Sequence, residues 1–204
     1  MSEAITVQGV GRVEARPDVA VLELGTEARA ESVEQALAGA SQALTSMVAA
    51  LHANGATETD LRTEGPSTYT VADDAGRVNS YVCTFRLTAR VSDPARAGLL
   101  LAACVAEAGD GARVHGVNYQ LRDRAEHQRQ ARVLAVADAR ARAEQLAELV
   151  GRPLGRATSV TESNAAGGPI RPMYAMSLKS DSVEVEPGVE QVSVGVEVTW
   201  VFAD

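Results

Sequence analysis

Residues 7–24 read VQGVGRVEARPDVAVLEL, and the fold turns on what Gly9 and Gly11 are doing. A dinucleotide-binding turn needs a third glycine at position 14 and a helix opening there. Position 14 is Glu14, and Pro17 comes next. Proline has no backbone donor and pushes the preceding Arg16 toward an extended conformation, so a strand, not a helix, begins after it. A phosphate loop ending in Gly-Lys-Ser/Thr fails as well, since the chain has a single lysine, Lys179. The glycine pair is therefore read as a joint beside a short strand at 5–9, with the next strand at 19–28.

Outward from this stretch the punctuation is clear. Ser32, with Gln35 three residues on, is a helix N-cap pattern. The helix runs to about 53, with Val33, Leu37, Ala40, Leu44, Met47, Val48 and Leu51 as its buried stripe, and Asn54-Gly55 ends it. Segments 61–72 and 78–92 form a hairpin around Asp73-Asp74-Ala75-Gly76. In its second arm Tyr81, Cys83, Phe85, Leu87, Ala89 and Val91 alternate with Thr84, Arg86, Thr88 and Arg90, so one face is core and the other wet. Asp93-Pro94 launches a helix over 95–108, Gly109-Asp110-Gly111 stops it, and 114–121 is a strand.

From Val19 the order is strand, helix, strand, strand, helix, strand, which is the split βαβ unit of ferredoxin-like sandwiches. The fold class is α+β, a βαββαβ core at about 19–122 extended by the N-terminal strand and by a helix-strand-strand segment at about 123–204. We take 1–204 as one domain. The long helix, 124–150, has a narrow stripe of Ala131, Leu134, Ala135, Ala139, Ala143, Leu146 and Val150, suited to close packing. Strands follow at 154–162 and 189–202, the last alternating Val192, Val194, Val196, Val198, Trp200 and Phe202 with polar residues. The long helix's basic cluster, Arg122, Arg124, Arg129, Arg132, Arg140 and Arg142, could touch an acidic partner, but Glu126, Asp138, Glu144 and Glu148 are interleaved with it and intrahelical pairing is the favoured reading.

The connection 163–188 is longer than a hairpin needs, and such loops are usually functional or disordered. Its apolar residues Ile170, Met173, Tyr174, Met176 and Leu178 are costly to leave in water. Contact with a second copy is the favoured role, ahead of packing on the same chain or covering a ligand site as a lid.

Composition narrows the function classes. A net charge of −8 opposes a nucleic-acid phosphate backbone. Aromatics are only 3% of the chain, so Val, Ala and Leu must fill the core. No window is apolar enough to span a membrane, and the opening MSEAITVQG has no signal-peptide pattern, from which a cytoplasmic protein is expected. Cys83 and Cys104 lack CxxC spacing and read as buried thiols. His52, His115 and His127 fall on different elements with no metal-ligand spacing, and no catalytic residues or cofactor are implied. A small-molecule site under the 163–188 loop, using Tyr69, Arg86, His115 or Tyr174, is the rival reading; peroxide scavenging by a cysteine is a weaker one.

Short motifs along nearly the whole chain resemble the SIMPL-domain family, whose members include bacterial oxidative-stress defence and periplasmic immunogenic proteins. They are Val7-Gln8-Gly9-Val10-Gly11, Arg16-Pro17-Asp18-Val19-Ala20, Asn54-Gly55 before Asp60-Leu61-Arg62-Thr63, Tyr81, and Gly116-Val117 leading to Leu121-Arg122-Asp123. They continue with Ala131, Ala135, Ala139, Ala143, Leu146-Ala147, Gly151-Arg152-Pro153-Leu154-Gly155 and Pro187-Gly188. The resemblance implies a split-βαβ architecture, assembly of some members into large ring- or channel-like oligomers, and links to oxidative stress, with no agreed catalytic residues. The chain is thus expected to be a non-catalytic, self-associating homo-oligomer, although many such proteins are exported.

Overall fold

Pro17 and Asp18 separate two strands that enter different sheets. In the computed structural model, which describes residues 3–163 and 188–203, the first strand is β1 (Ala4–Ala15) and the second β2 (Val19–Ala30). Five further strands are β3 (Leu61–Ala72), β4 (Val78–Val91), β5 (Ala112–Gln120), β6 (Leu154–Ser163) and β7 (Glu190–Phe202). The helices are α1 (Val33–Ala53), α2 (Ala97–Ala108) and α3 (Arg124–Leu149). The chain divides into two compact units, one holding β1, α3, β6 and β7 and the other β2 to β5 with α1 and α2.

The second unit has the expected ferredoxin-like topology. Its sheet order is β3-β4-β2-β5, with every neighbouring pair antiparallel. Ala20, Leu22 and Leu24 of β2 meet Leu87, Ala89 and Val91 of β4 beneath Met47, Leu51, Leu100 and Cys104 of the helices. The caps are those read from the sequence: Ser32 Oγ accepts from the Gln35 amide at 3.2 Å, and Asp93 Oδ1 from Ala95 at 3.1 Å. Gly55, at φ 91°, takes the left-handed turn after Asn54.

Val33 and Leu37, expected in the α1 stripe, are exposed instead. Ala36 and Ala40 are buried with Cys83, and Ala28 packs against them, so small residues bring this end of α1 close to the sheet and turn the bulkier pair outward. Thr26 Oγ1 donates to the Ala40 carbonyl at 2.9 Å, which satisfies a buried hydroxyl in that contact.

In the other unit Gly9 and Gly11 do not interrupt β1, which is one continuous strand paired with β7 from end to end. The sheet order is β1-β7-β6, and α3 covers one face. Val192, Val194, Val196, Val198 and Trp200 of β7 point to that face and are buried. Against them α3 presents Ala131, Ala135, Ala139, Ala143 and Ala147, one every four residues. Leu134, Leu146 and Val150, expected in the same stripe, are exposed.

The glycines explain why only alanine is used. A Cβ on Gly9 would lie 2.2 Å from the Ala135 carbonyl oxygen, and one on Gly11 would lie 1.9 Å from that of Ala131. Two residues of strand advance about 6.6 Å and four residues of helix about 6 Å, so the glycine pair and the alanine ladder step together. Any larger side chain on that helix line would hold the two backbones apart, which sends the leucines elsewhere.

Asp138 of α3 reaches the open edge of β1, where its carboxylate accepts from the Val10 amide at 2.9 Å. An edge strand with unpaired donors invites pairing with other chains, and this bond occupies one of them. The Val10 hydrogen bond is the main reason the Asp138 carboxyl is held below the usual carboxylate range; partial burial opposes it, and Arg142 and Arg12 reinforce it. A carboxyl with a depressed folded-state pKa adds stability that is complete above its unfolded value and is lost as pH falls through the folded one. Asp138→Ala is therefore expected to cost about 1 kcal/mol at pH 7, and this difference should shrink below about pH 4. Urea titrations at pH 7 and pH 3 check it; an equal cost at both would show that the carboxylate charge is not involved.

The arginines of α3 pair as expected in three cases, Arg129 with Glu126, Arg140 with Glu144 and Arg142 with Asp138. Arg124 and Arg132 instead reach Glu190 of β7 and Glu162 of β6, tying the helix to its sheet. Arg152 pairs with Glu3 and lies over the Phe202 ring, 4.6 Å from its centroid.

Candidate interaction surfaces

The four-stranded sheet buries one face under α1 and α2, and its other face carries β4 residues Thr84, Arg86, Thr88 and Arg90. Strand register places Glu23, Gly25, Glu27 and Arg29 of β2 beside them, with Arg62, Glu64 and Tyr69 of β3 on the opposite side. Tyr69, Arg86 and His115, named from the sequence as candidate site residues, thus share this face.

They do not converge equally. Arg86 lies opposite Gly25, and His115 Nε2 sits 2.9 Å from where a Cβ on Gly25 would be. His115 gets there through a register shift, because Glu23 pairs with Gly116 and Leu24 with Val114, leaving His115 as the extra residue of a bulge. Bulges re-aim side chains in this way. Tyr69 lies opposite Val82, four residues along β4 from Arg86, or about 13 Å. Tyr174 lies outside the described residues, as do Ile170, Met173, Met176 and Leu178, the expected oligomer contact.

Most charges on the face are engaged. Arg113 pairs with Glu27 at 2.9 Å, Arg62 with Glu64 at 3.0 Å, and Asn118 donates to Glu23 at 2.7 Å. Arg29 donates to Ser80 at 2.6 Å and Asn79 at 3.2 Å. Arg86 and Arg90 are exposed, and no hydrogen bond or ion pair engages either among the described residues.

The histidines are not brought together: His52 on α1 bonds the Ala56 carbonyl and His127 on α3 that of Asp123. Among the described residues no group of three His, Cys, Asp or Glu side chains is placed to hold a metal ion. Both cysteines are buried as free thiols, as expected. Burial pushes the Cys83 thiol up and that of Cys104 to about 11, which works against the thiolate that peroxide chemistry requires.

A second surface lies on α3, which leaves Val133, Leu134 and Val136 exposed, Val133 at 70%. Val133 and Leu134 line a shallow groove with Gln130, Arg12 and Val13 of β1. The sequence pattern does not show this surface, because it assigns Leu134 to the buried stripe and gives Val133 no role.

Residues 5–200 match the SIMPL family, described as a protein of unknown function (DUF541). The chain belongs to the SIMPL family. Over 215 aligned residues this SIMPL chain is 29% identical to the 26 kDa periplasmic immunogenic protein of Brucella melitensis biotype 1, with 96% of the chain and 83% of the relative covered. The 26 kDa periplasmic immunogenic protein of Brucella abortus strain S19 matches to the same extent. These relatives correct the cytoplasmic placement drawn from the opening residues: both are named as periplasmic, and a leader pattern missing from a sequence as written does not fix where the protein works. Among the described residues, no helix of the SIMPL chain is long and apolar enough to cross a membrane.

Proposed function

We propose that this SIMPL protein works in the periplasm as a non-catalytic protein that associates with copies of itself. The exposed apolar run on α3 is the observation that carries the reading. Val133 and Leu134, adjacent on the exposed side of the helix, line a groove with Val13, and apolar groups gathered this way in water favour being covered by another protein surface. The periplasmic setting rests on the names of the Brucella relatives.

Light scattering after size exclusion at micromolar concentrations tests the assembly, and a strict monomer would sink it. In an assembled protein, Val133→Glu with Leu134→Glu should lower the subunit number. Both side chains are exposed, so each change should move the stability of the fold by no more than about 0.5 kcal/mol. An unchanged assembly would remove α3 from the contact.

A further inference from the structure

Charge is unevenly placed in the unit built from β2 to β5. Residues 17–120 contain seven arginines and thirteen acidic residues. Five of those arginines, Arg29, Arg62, Arg86, Arg90 and Arg113, lie on the sheet face turned from the helices, with only three acids, Glu23, Glu27 and Glu64. The acids elsewhere, including Glu31, Glu34, Asp73, Asp74, Asp93, Glu107 and Asp110, outnumber Arg77 and Arg96. A basic face on an otherwise acidic body orients an approaching anion toward that face and repels it elsewhere.

We propose that this face, through Arg86 and Arg90, docks an acidic segment of another protein. The other three arginines hold partners on their own sheet, which leaves these two to an incoming group. They are four residues apart on one side of β4, so their Cα atoms stand about 13 Å apart across Thr88. That spacing suits carboxylates spread along a peptide chain. Arginine suits the role because its planar guanidinium takes a carboxylate through two parallel hydrogen bonds.

The probe is a fluorescently labelled octaglutamate peptide, titrated with the full chain at low salt and followed by anisotropy. Arg86→Glu with Arg90→Glu should weaken binding more than tenfold, and raising the salt to physiological strength should weaken the wild type. Arg156→Glu, an exposed change on β6 in the other unit, alters net charge in the same direction and should leave binding within twofold. No binding to the wild type overturns the proposal, as does equal weakening by the Arg156 and Arg86/Arg90 variants. Loss of self-assembly in the Arg86/Arg90 variant would show the occupant to be a second copy and overturn it too. Arg86→Gln with Arg90→Gln guards against a folding defect, since it should also weaken the peptide while keeping the wild-type melting curve.

Discussion

Gly11→Ala should destabilise the β1-β7-β6 unit by about 3 kcal/mol or more, a drop of roughly 10 °C in melting temperature. The added Cβ would sit 1.9 Å from the Ala131 carbonyl oxygen and 2.6 Å from the Ala135 amide nitrogen. Both belong to helix backbone, so relief cannot come from a side chain changing rotamer; α3 must move off the sheet. That movement would loosen Ala131 and Ala135 from the close contact that alone makes their small side chains useful, since dispersion falls steeply with distance. Gly9→Ala should behave alike, with its nearest clash at 2.2 Å. Gly116→Ala is the control, because nothing lies within 4 Å of its Cβ position, and it should change stability little. Trp200, the chain's one tryptophan, is buried beside the alanine ladder and reports this unit by fluorescence. A Gly11→Ala protein melting with the wild type would show that helix and strand are farther apart than described.

The same pair of glycines marks where the sequence was legible and where it was not. Turns and caps are local, so Ser32, Asn54-Gly55, Asp73 and Asp93-Pro94 located the ferredoxin-like elements almost to the residue. A glycine within a β pattern has two readings, a break or a close backbone approach, and the residues around position 9 contain nothing to choose between them. The deciding information lies more than 120 residues away, in the four-residue spacing of Ala131, Ala135 and Ala139. The strand alternation of β4 put Arg86 and Arg90 on the wet face correctly. The bulge that turns His115 over Gly25 depends on pairing with β2, a register that no local pattern states.

Leu22→Ala should be the most damaging single change in the other unit, costing about 2–5 kcal/mol through lost burial and the cavity left behind. Leu22 is fully buried at the centre of the cluster that joins β2 and β4 to α1 and α2, where neighbouring elements leave little room for collapse. Cys104 lies in that cluster, its thiol directed at the Met47 carbonyl at 3.9 Å, which supplies an internal reporter. In a Cys83→Ala background, a thiol reagent at pH 8 reaches Cys104 only when this core opens, because the thiol is buried and its pKa stands near 11. A loss of about 3 kcal/mol raises the open population on the order of 100-fold, so the labelling rate of Leu22→Ala should rise by a similar factor at the same pH. Rapid labelling of the protein that retains Leu22, without denaturant, would contradict the burial of Cys104 and reopen thiol chemistry. Slow labelling of both proteins, with unchanged denaturation midpoints, would mean that the core closes around the smaller side chain and that Leu22 is not its keystone.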